Sequence, residues 1–402
     1  MEKIYDTIII GGGPGGLSAA IYAARSKMKT LVIEQKRKTG GQAATTFEME
    51  NYPGFPSASG PEIMGKFREH CDKFGVEFTR GKVEKIEEAG DGFLKKVITK
   101  DAEYTTKTVI VGTGAEPRVL GIRGENTFRG RGVSYCATCD ADFYEGLDIV
   151  VVGNGNTAVE ESMYLSKFVN KITMIVIHDE GTMDADKAAQ EQAMQNPKIE
   201  YIWNSTVTEI GGDEMVDHVM IKNIKTNEVT KFACDGVFMF VGTVPRTSFL
   251  EGYVDLNPQK YIKVNERMET NVPGIFACGD VTDKMLRQVV TAASDGSIAA
   301  VVAEKYIEEE ENWNKNVRSS DKPVLVAFWS PINADSLNTI TQLEKLHATN
   351  STTKLVKIDA YKNHRIASRY GVSDIPTILK IENDKVINVV TNANMNDLNK
   401  II

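Results

Sequence analysis

The chain is short of cysteine, of long apolar runs and of positive charge, and each shortage removes a class of protein. It holds five cysteines in 402 residues, with Cys71, Cys234 and Cys278 scattered. That is too few for the disulfide framework of a small secreted domain, and a second CxxC for a zinc site is missing. No metal is expected. No stretch is apolar for long enough to span a bilayer, which argues against a membrane partner. Met1-Glu2-Lys3-Ile4-Tyr5-Asp6 runs straight into a strand-like Thr7-Ile8-Ile9-Ile10, without an apolar signal region or a small-residue cleavage site. A cytoplasmic location is therefore the expectation. A formal charge of −8 argues against a nucleic-acid footprint. With 42% hydrophobic and 25% charged residues, what remains is a globular protein of two or three domains.

The two cysteines that do pair in sequence stand in Tyr135-Cys136-Ala137-Thr138-Cys139-Asp140. A CxxC at the start of a helix brings both sulfurs within bonding reach, and the helix N-terminus favours a thiolate. Asp140 sits one residue from the sulfur chemistry, where a proton donor or acceptor is needed. By itself the spacing also suits two core cysteines or half a metal site; the flanking nucleotide motifs tip the balance to redox chemistry.

Residues 4–10 read as a buried parallel strand. Gly11-Gly12-Gly13-Pro14-Gly15-Gly16 follows, then a small-residue helix from Leu17 to Ala24, then a second strand, Thr30-Leu31-Val32-Ile33, ending in Glu34 and Gln35. The glycines let backbone amides approach a pyrophosphate at the helix N-terminus, and Glu34 is placed to accept from a ribose hydroxyl. Gly40-Gly41-Gln42 and Asn51-Tyr52-Pro53-Gly54 are punctuated as binding loops. Strands at 108–111 and 237–241 end in similar glycine turns, Gly112-Thr113-Gly114-Ala115 and Gly242-Thr243-Val244-Pro245. Between them a second unit repeats the first: a strand from Asp148 to Val152, the turn Gly153-Asn154-Gly155-Asn156-Thr157-Ala158, a helix to about Phe168, and a strand from Ile172 to Ile177. The repeat suggests two Rossmann-like domains, one inserted in the other.

Together these residues resemble the low-molecular-weight, bacterial-type thioredoxin reductases over roughly residues 3–308. The resemblance implies an α/β fold. An FAD-binding domain takes residues 1–114 and 243–308, and an inserted NAD(P)H-type domain, residues 115–242, carries the redox pair. It implies FAD contacts at Gly11, Gly13, Pro14, Gly15, Gly16, Glu34 and Gln35 for the dinucleotide end, and at Gly41, Gln42 and Asn51 for the flavin end. Val83 matches an adenine contact, Thr113 and Gly114 close the following strand, and Asp280 of the Gly279-Asp280 pair resembles the residue that holds the ribityl chain. Arg287-Gln288-Val289 resembles the segment beside the flavin pyrimidine. Cys136, Cys139 and Asp140 match the catalytic pair and its acid, with Cys139 resembling the flavin-facing sulfur. The implied partner is thioredoxin or a thioredoxin-like protein, and the implied assembly a homodimer.

One departure concerns the electron donor. Where the family carries HRRxxxR, whose arginines hold the 2'-phosphate of NADPH, this chain reads His178-Asp179-Glu180-Gly181-Thr182-Met183-Asp184. A charge-assisted hydrogen bond contributes about 1.5 to 3 kcal/mol, so losing two weakens NADPH by roughly two to four orders of magnitude. Two donors remain. An acid on the ribose 2'-OH is the ordinary NADH arrangement. Alternatively the FAD is reduced by a protein such as ferredoxin, as in a ferredoxin-dependent branch of the family; from about −400 mV to a thioredoxin near −270 mV the transfer runs downhill by about 6 kcal/mol per electron pair. Three acids where NADH needs one tip the expectation slightly to ferredoxin.

Residues 309–322, with Glu308-Glu309-Glu310-Glu311 at their head, read as a solvated linker. Beyond it Val324-Leu325-Val326-Ala327-Phe328-Trp329 and Ile375-Pro376-Thr377 resemble a thioredoxin domain over 323–402, with Pro376 at the family's cis-proline. Ser330 and Asn333 stand where its cysteines belong, and no cysteine follows Cys278. The leading expectation is an FAD enzyme that reduces thioredoxin or a peroxiredoxin-like disulfide. The rival is a flavin-binding interaction protein without turnover, against which the intact Cys136, Cys139 and Asp140 argue.

Overall fold

A parallel strand covered on both faces must be apolar along its length, and residues 7–10 of β1 (Ile4–Ile10) are all buried. The computed structural model describes residues 3–46, 49–90, 92–349 and 352–402. After β1 come α1 (Pro14–Arg25), β2 (Thr30–Glu34), α2 (Gly60–Lys73) and β3 (Glu77–Arg80), then a meander of β4 (Val83–Ala89), β5 (Leu94–Thr99) and β6 (Glu103–Val111). Thr7 pairs with Thr30 on one side and with Thr108 on the other, which sets the parallel order β3-β2-β1-β6. Strand ends therefore line up, and the glycine turn after Ile10 lies beside Gly112. A Cβ on Gly16 would fall 1.9 Å from the Gly11 carbonyl oxygen. Only glycine lets α1 start this close to the turn.

The chain then leaves this sheet through β7 (Ala115–Pro117) and builds a second one from β8 (Val133–Ser134), α3 (Ala137–Asp140), β9 (Asp148–Val152), α4 (Asn156–Leu165), β10 (Lys171–Ile175), α5 (Lys187–Gln195) and β11 (Ile199–Ile202). An antiparallel three-stranded sheet follows, β12 (Ser205–Gly212), β13 (Val216–Asn223) and β14 (Val229–Ala233). β15 (Gly236–Met239) then completes the parallel order β11-β10-β9-β15-β8. β16 (Thr243–Pro245) pairs antiparallel with β7, and β17 (Ile275–Ala277) returns to the first sheet with Ile275 opposite Val109. Two cores result. Ile8, Val109 and Ile275 belong to one, Val151, Met174 and Phe238 to the other.

The long helix α6 (Val289–Trp313) crosses the boundary between two compact units, residues up to Val302 and residues from Ala303. The second unit continues with a π-helical turn at Asn314–Arg318, β18 (Val324–Trp329), α7 (Ala334–Thr349), β19 (Lys354–Asp359), α8 (His364–Arg369), β20 (Thr377–Glu382), β21 (Lys385–Thr391) and α9 (Met395–Ile401). Its strand order is β19-β18-β20-β21, and the Ile375–Pro376 peptide is cis.

Residues 309–322 are not the solvated linker that their charge suggests. Helix α6 runs into this stretch as far as Trp313, which is 2% exposed and packs with Val317, Val326, Phe328 and Leu379 in the second unit's core. Glu310 is 3% exposed and hydrogen-bonds Arg365 and Arg369. Two guanidinium groups 55 and 59 residues away make its burial tolerable. Among the described residues no helix is long and apolar enough to cross a membrane.

Candidate active site

Cys136 caps the N-terminus of α3 and forms a disulfide with Cys139, with an S–S distance of 2.06 Å and Cα atoms 5.3 Å apart. Cys139 is exposed and Cys136 half-buried. α3 is one turn long and gives way to a 3-10 turn at Ala141–Tyr144, so the dipole behind the sulfurs is that of a single turn. Asp140 closes that turn. Its Oδ2 accepts a hydrogen bond of 2.6 Å from the Ser134 hydroxyl, which in turn accepts from the Cys136 N–H at 3.1 Å.

Two residues next to the pair escape a sequence reading. Ser134 is one; the signal available was a hydroxyl two residues before the first cysteine and six before the acid. Glu125 is the other, fully buried. It accepts from the N–H groups of Leu120, Gly121 and Ile122 at 3.1, 2.6 and 3.3 Å and from the Tyr135 hydroxyl at 2.6 Å. Burial, helped by that carboxylate, pushes the Tyr135 phenol well above its ordinary range, so it remains a donor at neutral pH. A loop and the residue beside Cys136 are thereby tied to one carboxylate. The thiols of Cys71, Cys234 and Cys278 are pushed up to about 12 by burial. None of these three is a thiolate at neutral pH.

The expected flavin residues gather at the strand ends of the first sheet. Pro14 occupies the first turn of α1, where its missing N–H costs nothing. Gly15 packs so closely that a Cβ would lie 3.1 Å from the Ala292 carbonyl oxygen, whereas a Cβ on Gly13 would meet nothing nearer than Gly41 Cα at 4.0 Å. Gly13 thus borders open space and faces Gly41. Glu34 accepts from Gly12 N at 2.7 Å and Lys36 N at 2.8 Å, which leaves lone pairs of the carboxylate for a ribose hydroxyl. Gln35 beside it is exposed. Gln42 donates to the Ala115 carbonyl, and Asn51 donates to Gln288 Oε1 at 3.1 Å, joining two loops 237 residues apart. Thr113 and Gly114 bond Arg246 through the threonine hydroxyl and the glycine carbonyl. Val289 begins α6.

The FAD implied by the resemblance can be tested against this cradle. Gly279, at φ +75°, bends the chain so that Asp280 turns inward. Asp280 Oδ1 is buried and has no hydrogen-bond partner among the described residues, and burial raises its pKa. Arg287 stacks 4.1 Å from the Tyr261 ring centre with its Nε equally unpartnered. A buried orphan acceptor and a buried orphan donor are costly unless a ligand supplies the missing bonds. FAD fits, with its ribityl hydroxyls as donors and its pyrimidine carbonyls as acceptors. The Val83 side chain lies in the core with Ile33 and Ile86, which leaves its backbone for the expected adenine contact.

In the inserted domain the glycine turn is formed, with Gly153 at φ +136° and nothing within 4 Å of a Cβ on Gly155. Acids surround it. Asp184 Oδ2 lies 3.1 Å from Asn154 Nδ2 and 3.1 Å from His178 Nε2, and Asp186 Oδ2 accepts from Asn156 Nδ2 at 3.0 Å. Asp179 bonds Lys225, which lowers its pKa, and Glu180 is exposed. No arginine stands at any of these positions.

In the second unit Ser330 is fully buried, and Asn333 accepts from Ser336 N at 2.8 Å as the cap of α7. These residues shape a loop where a dithiol would otherwise sit.

The pyridine nucleotide-disulphide oxidoreductase family model matches residues 5–296, and the thioredoxin family model matches residues 304–402. The chain is similar to a thioredoxin reductase of Peptoclostridium acidaminophilum, 46% identical over 315 residues that cover 77% of this chain and 98% of the relative. It is similar also to the thioredoxin reductase of Bacillus subtilis (strain 168), 44% identical over 319 residues, 79% of this chain and 99% of the relative. Among solved structures, Lactococcus lactis thioredoxin reductase in its FR conformation superposes with a TM-score of 0.74 at 44% identity, covering 76% of this chain and 99% of the other.

Proposed function

The chain belongs to the pyridine nucleotide-disulphide oxidoreductase family, and from that premise we propose that it reduces thioredoxin through Cys136 and Cys139 with electrons that do not come from NADPH. It is a flavoprotein oxidoreductase with a thioredoxin domain at its C-terminal end. The observation that carries the proposal is a disulfide with one exposed cysteine, beside a carboxylate, in a domain distinct from the flavin cradle.

The Gly13 turn, Gly41 and Asp280 would hold FAD, which when bound would supply the electron pair. Two electrons and two protons convert the Cys136–Cys139 bond to a dithiol. One cysteine, as thiolate, then attacks the thioredoxin disulfide, forming a mixed disulfide and expelling a thioredoxin thiolate, which takes up a proton. The second cysteine attacks the mixed disulfide, closes the Cys136–Cys139 bond and releases thioredoxin with both thiols. Asp140 accepts a proton from the attacking thiol or returns one to the leaving thiolate.

Asp184 and Asp186 support a protein donor of low potential, such as ferredoxin. Their carboxylates lie beside the turn where a dinucleotide pyrophosphate would rest, so they oppose NADH as well as NADPH. NADH is the second reading, favoured by the open space beside Gly155. Anaerobic bleaching of the flavin by NADPH, NADH and reduced ferredoxin, each followed by oxidised thioredoxin, tests both halves. Rapid bleaching by NADPH would overturn the donor assignment.

A further inference from the structure

Ser134 ends β8, a strand of two residues held in register by Phe238 of β15. It is 3% exposed, and its hydroxyl oxygen meets three groups: Asp140 Oδ2 at 2.6 Å, Cys136 N at 3.1 Å and Cys136 O at 3.2 Å. A hydroxyl has one proton to give. The short contact to a carboxylate takes it, because hydrogen bonds to ionised acceptors are the shorter and stronger ones. The Cys136 N–H then fills a lone pair, and the order becomes Cys136 N–H to Ser134 Oγ–H to Asp140 Oδ2. Among the described residues no other hydrogen bond to the Asp140 side chain is found.

We infer that Ser134 is a positioning residue for disulfide exchange, fastening the Asp140 carboxylate to the backbone of Cys136. The inference rests on the roles proposed above for Cys136, Cys139 and Asp140. Cys136 caps a single helical turn, Ala137–Asp140, that contains the exposed Cys139. When the disulfide opens, that turn loses its covalent clasp, and an aspartate with free χ angles would face solvent in most rotamers. Ser134 belongs to the sheet rather than to the turn, and its buried hydroxyl holds the carboxylate to the Cys136 backbone. The bland alternative is a serine that only stabilises the turn; it predicts the same effect whether or not residue 140 is an acid.

The full chain, reduced anaerobically with dithionite to the two-electron level and mixed with oxidised thioredoxin, gives a donor-independent readout in thioredoxin thiols. Ser134→Ala should lower the limiting rate roughly tenfold, while the half-saturating thioredoxin concentration stays within about twofold. Asp140→Asn should cost about a hundredfold, and Ser134→Ala combined with Asp140→Asn no more than Asp140→Asn alone. Ser134→Thr, which keeps the hydroxyl, should recover most of the rate. Wild-type speed in Ser134→Ala, or a rate loss that multiplies with that of Asp140→Asn, overturns the inference. If Ser134→Ala loses flavin or fold, Ser134→Cys fills the same volume with a weak donor and takes its place in the cycle. Cys136→Ser separates the two claims: full thioredoxin reduction by it removes the assigned site, whereas its inactivity beside a fast Ser134→Ala removes only the part given to Ser134.

Discussion

The carboxylate of Asp184 lies 3.1 Å from the side-chain amide of Asn154, inside the glycine turn of the inserted domain. An acid that bonds the turn itself does more than lack an arginine's charge. It brings negative charge to the approach of any phosphate, and Asp186 repeats the arrangement at Asn156. Flavin bleaching by NADPH should therefore be at least about a hundredfold slower than by the productive donor, measured by stopped flow at matched concentrations. Arginine substituted together at Asp179, Glu180 and Asp184 should confer measurable NADPH reactivity, since the turn at Gly153 and Gly155 is already formed. If the triple variant stays inert to NADPH, the missing clamp is not the reason.

Two glycines of the first turn should fail in different ways. A Cβ on Gly13 meets no protein atom nearer than 4.0 Å, and its backbone (φ −77°) suits any residue. Gly13→Ala should therefore fold normally but bind FAD roughly tenfold or more weakly, because the methyl enters the space the cofactor needs. Gly16→Ala drives a Cβ to within 1.9 Å of the Gly11 carbonyl oxygen and should destabilise the domain itself by about 2 kcal/mol or more. Flavin titration and thermal unfolding of the flavin-free protein separate the two. Equal flavin affinity in Gly13→Ala would remove this edge of the cradle.

Replacing Cys136 or Cys139 by serine should abolish thioredoxin reduction while flavin content stays at the wild-type level, because the disulfide lies in the inserted domain and the cradle in the first sheet. Asp140→Asn should slow turnover about a hundredfold without abolishing it, since it removes a proton carrier and not an exchanging sulfur. Cys71, Cys234 and Cys278, buried with thiols raised to about 12, cannot substitute. Thiol counts after dithionite reduction and denaturation check that the disulfide alone has been lost.

What the sequence disclosed and what it hid divide along a physical line. The glycine turns, Glu34 and the CxxC are legible because strand, turn and helix chemistry is written in adjacent residues, whereas the cis-proline segment follows by resemblance. Gln288 follows only by resemblance, since its partner Asn51 lies in a loop 237 residues away, and so does Asp280, whose buried Oδ1 has no partner among the described residues. Ser134 and Glu125 act through hydrogen bonds that exist once β8 has joined β15, and no periodicity marks a serine as bridging or a glutamate as buried. Glu310 is the clearest loss. A run of four glutamates looks solvated, and the arginines that bury one of them sit at positions 365 and 369, on one face of α8, where the i, i+4 spacing was the signal available.

Glu310 gives the last prediction, and its sign follows from the groups around it. Burial alone would raise its pKa, but hydrogen bonds and charge from Arg369 and Arg365 outweigh that and hold it below the ordinary value of 4.5. A carboxylate whose folded pKa is depressed stabilises the fold fully above its unfolded pKa and loses that contribution as the pH falls through its folded one. The second unit should thus be steady from neutral pH down to about 4.5 and weaken below it. Glu310→Gln should remove about 2 to 3 kcal/mol at neutral pH, near the lower end for breaking a buried pair because the Arg369 side chain is 32% exposed. For a domain of this size that is roughly 10 to 20 °C in Tm. Trp313, stacked 4.7 Å from Tyr370, reports the transition by fluorescence while flavin absorbance reports the first unit separately. The variant should also lose the acid dependence below pH 4.5. A Glu310→Gln chain that melts at the wild-type temperature, or keeps the wild-type acid limb, would mean that the two arginines do not need this carboxylate.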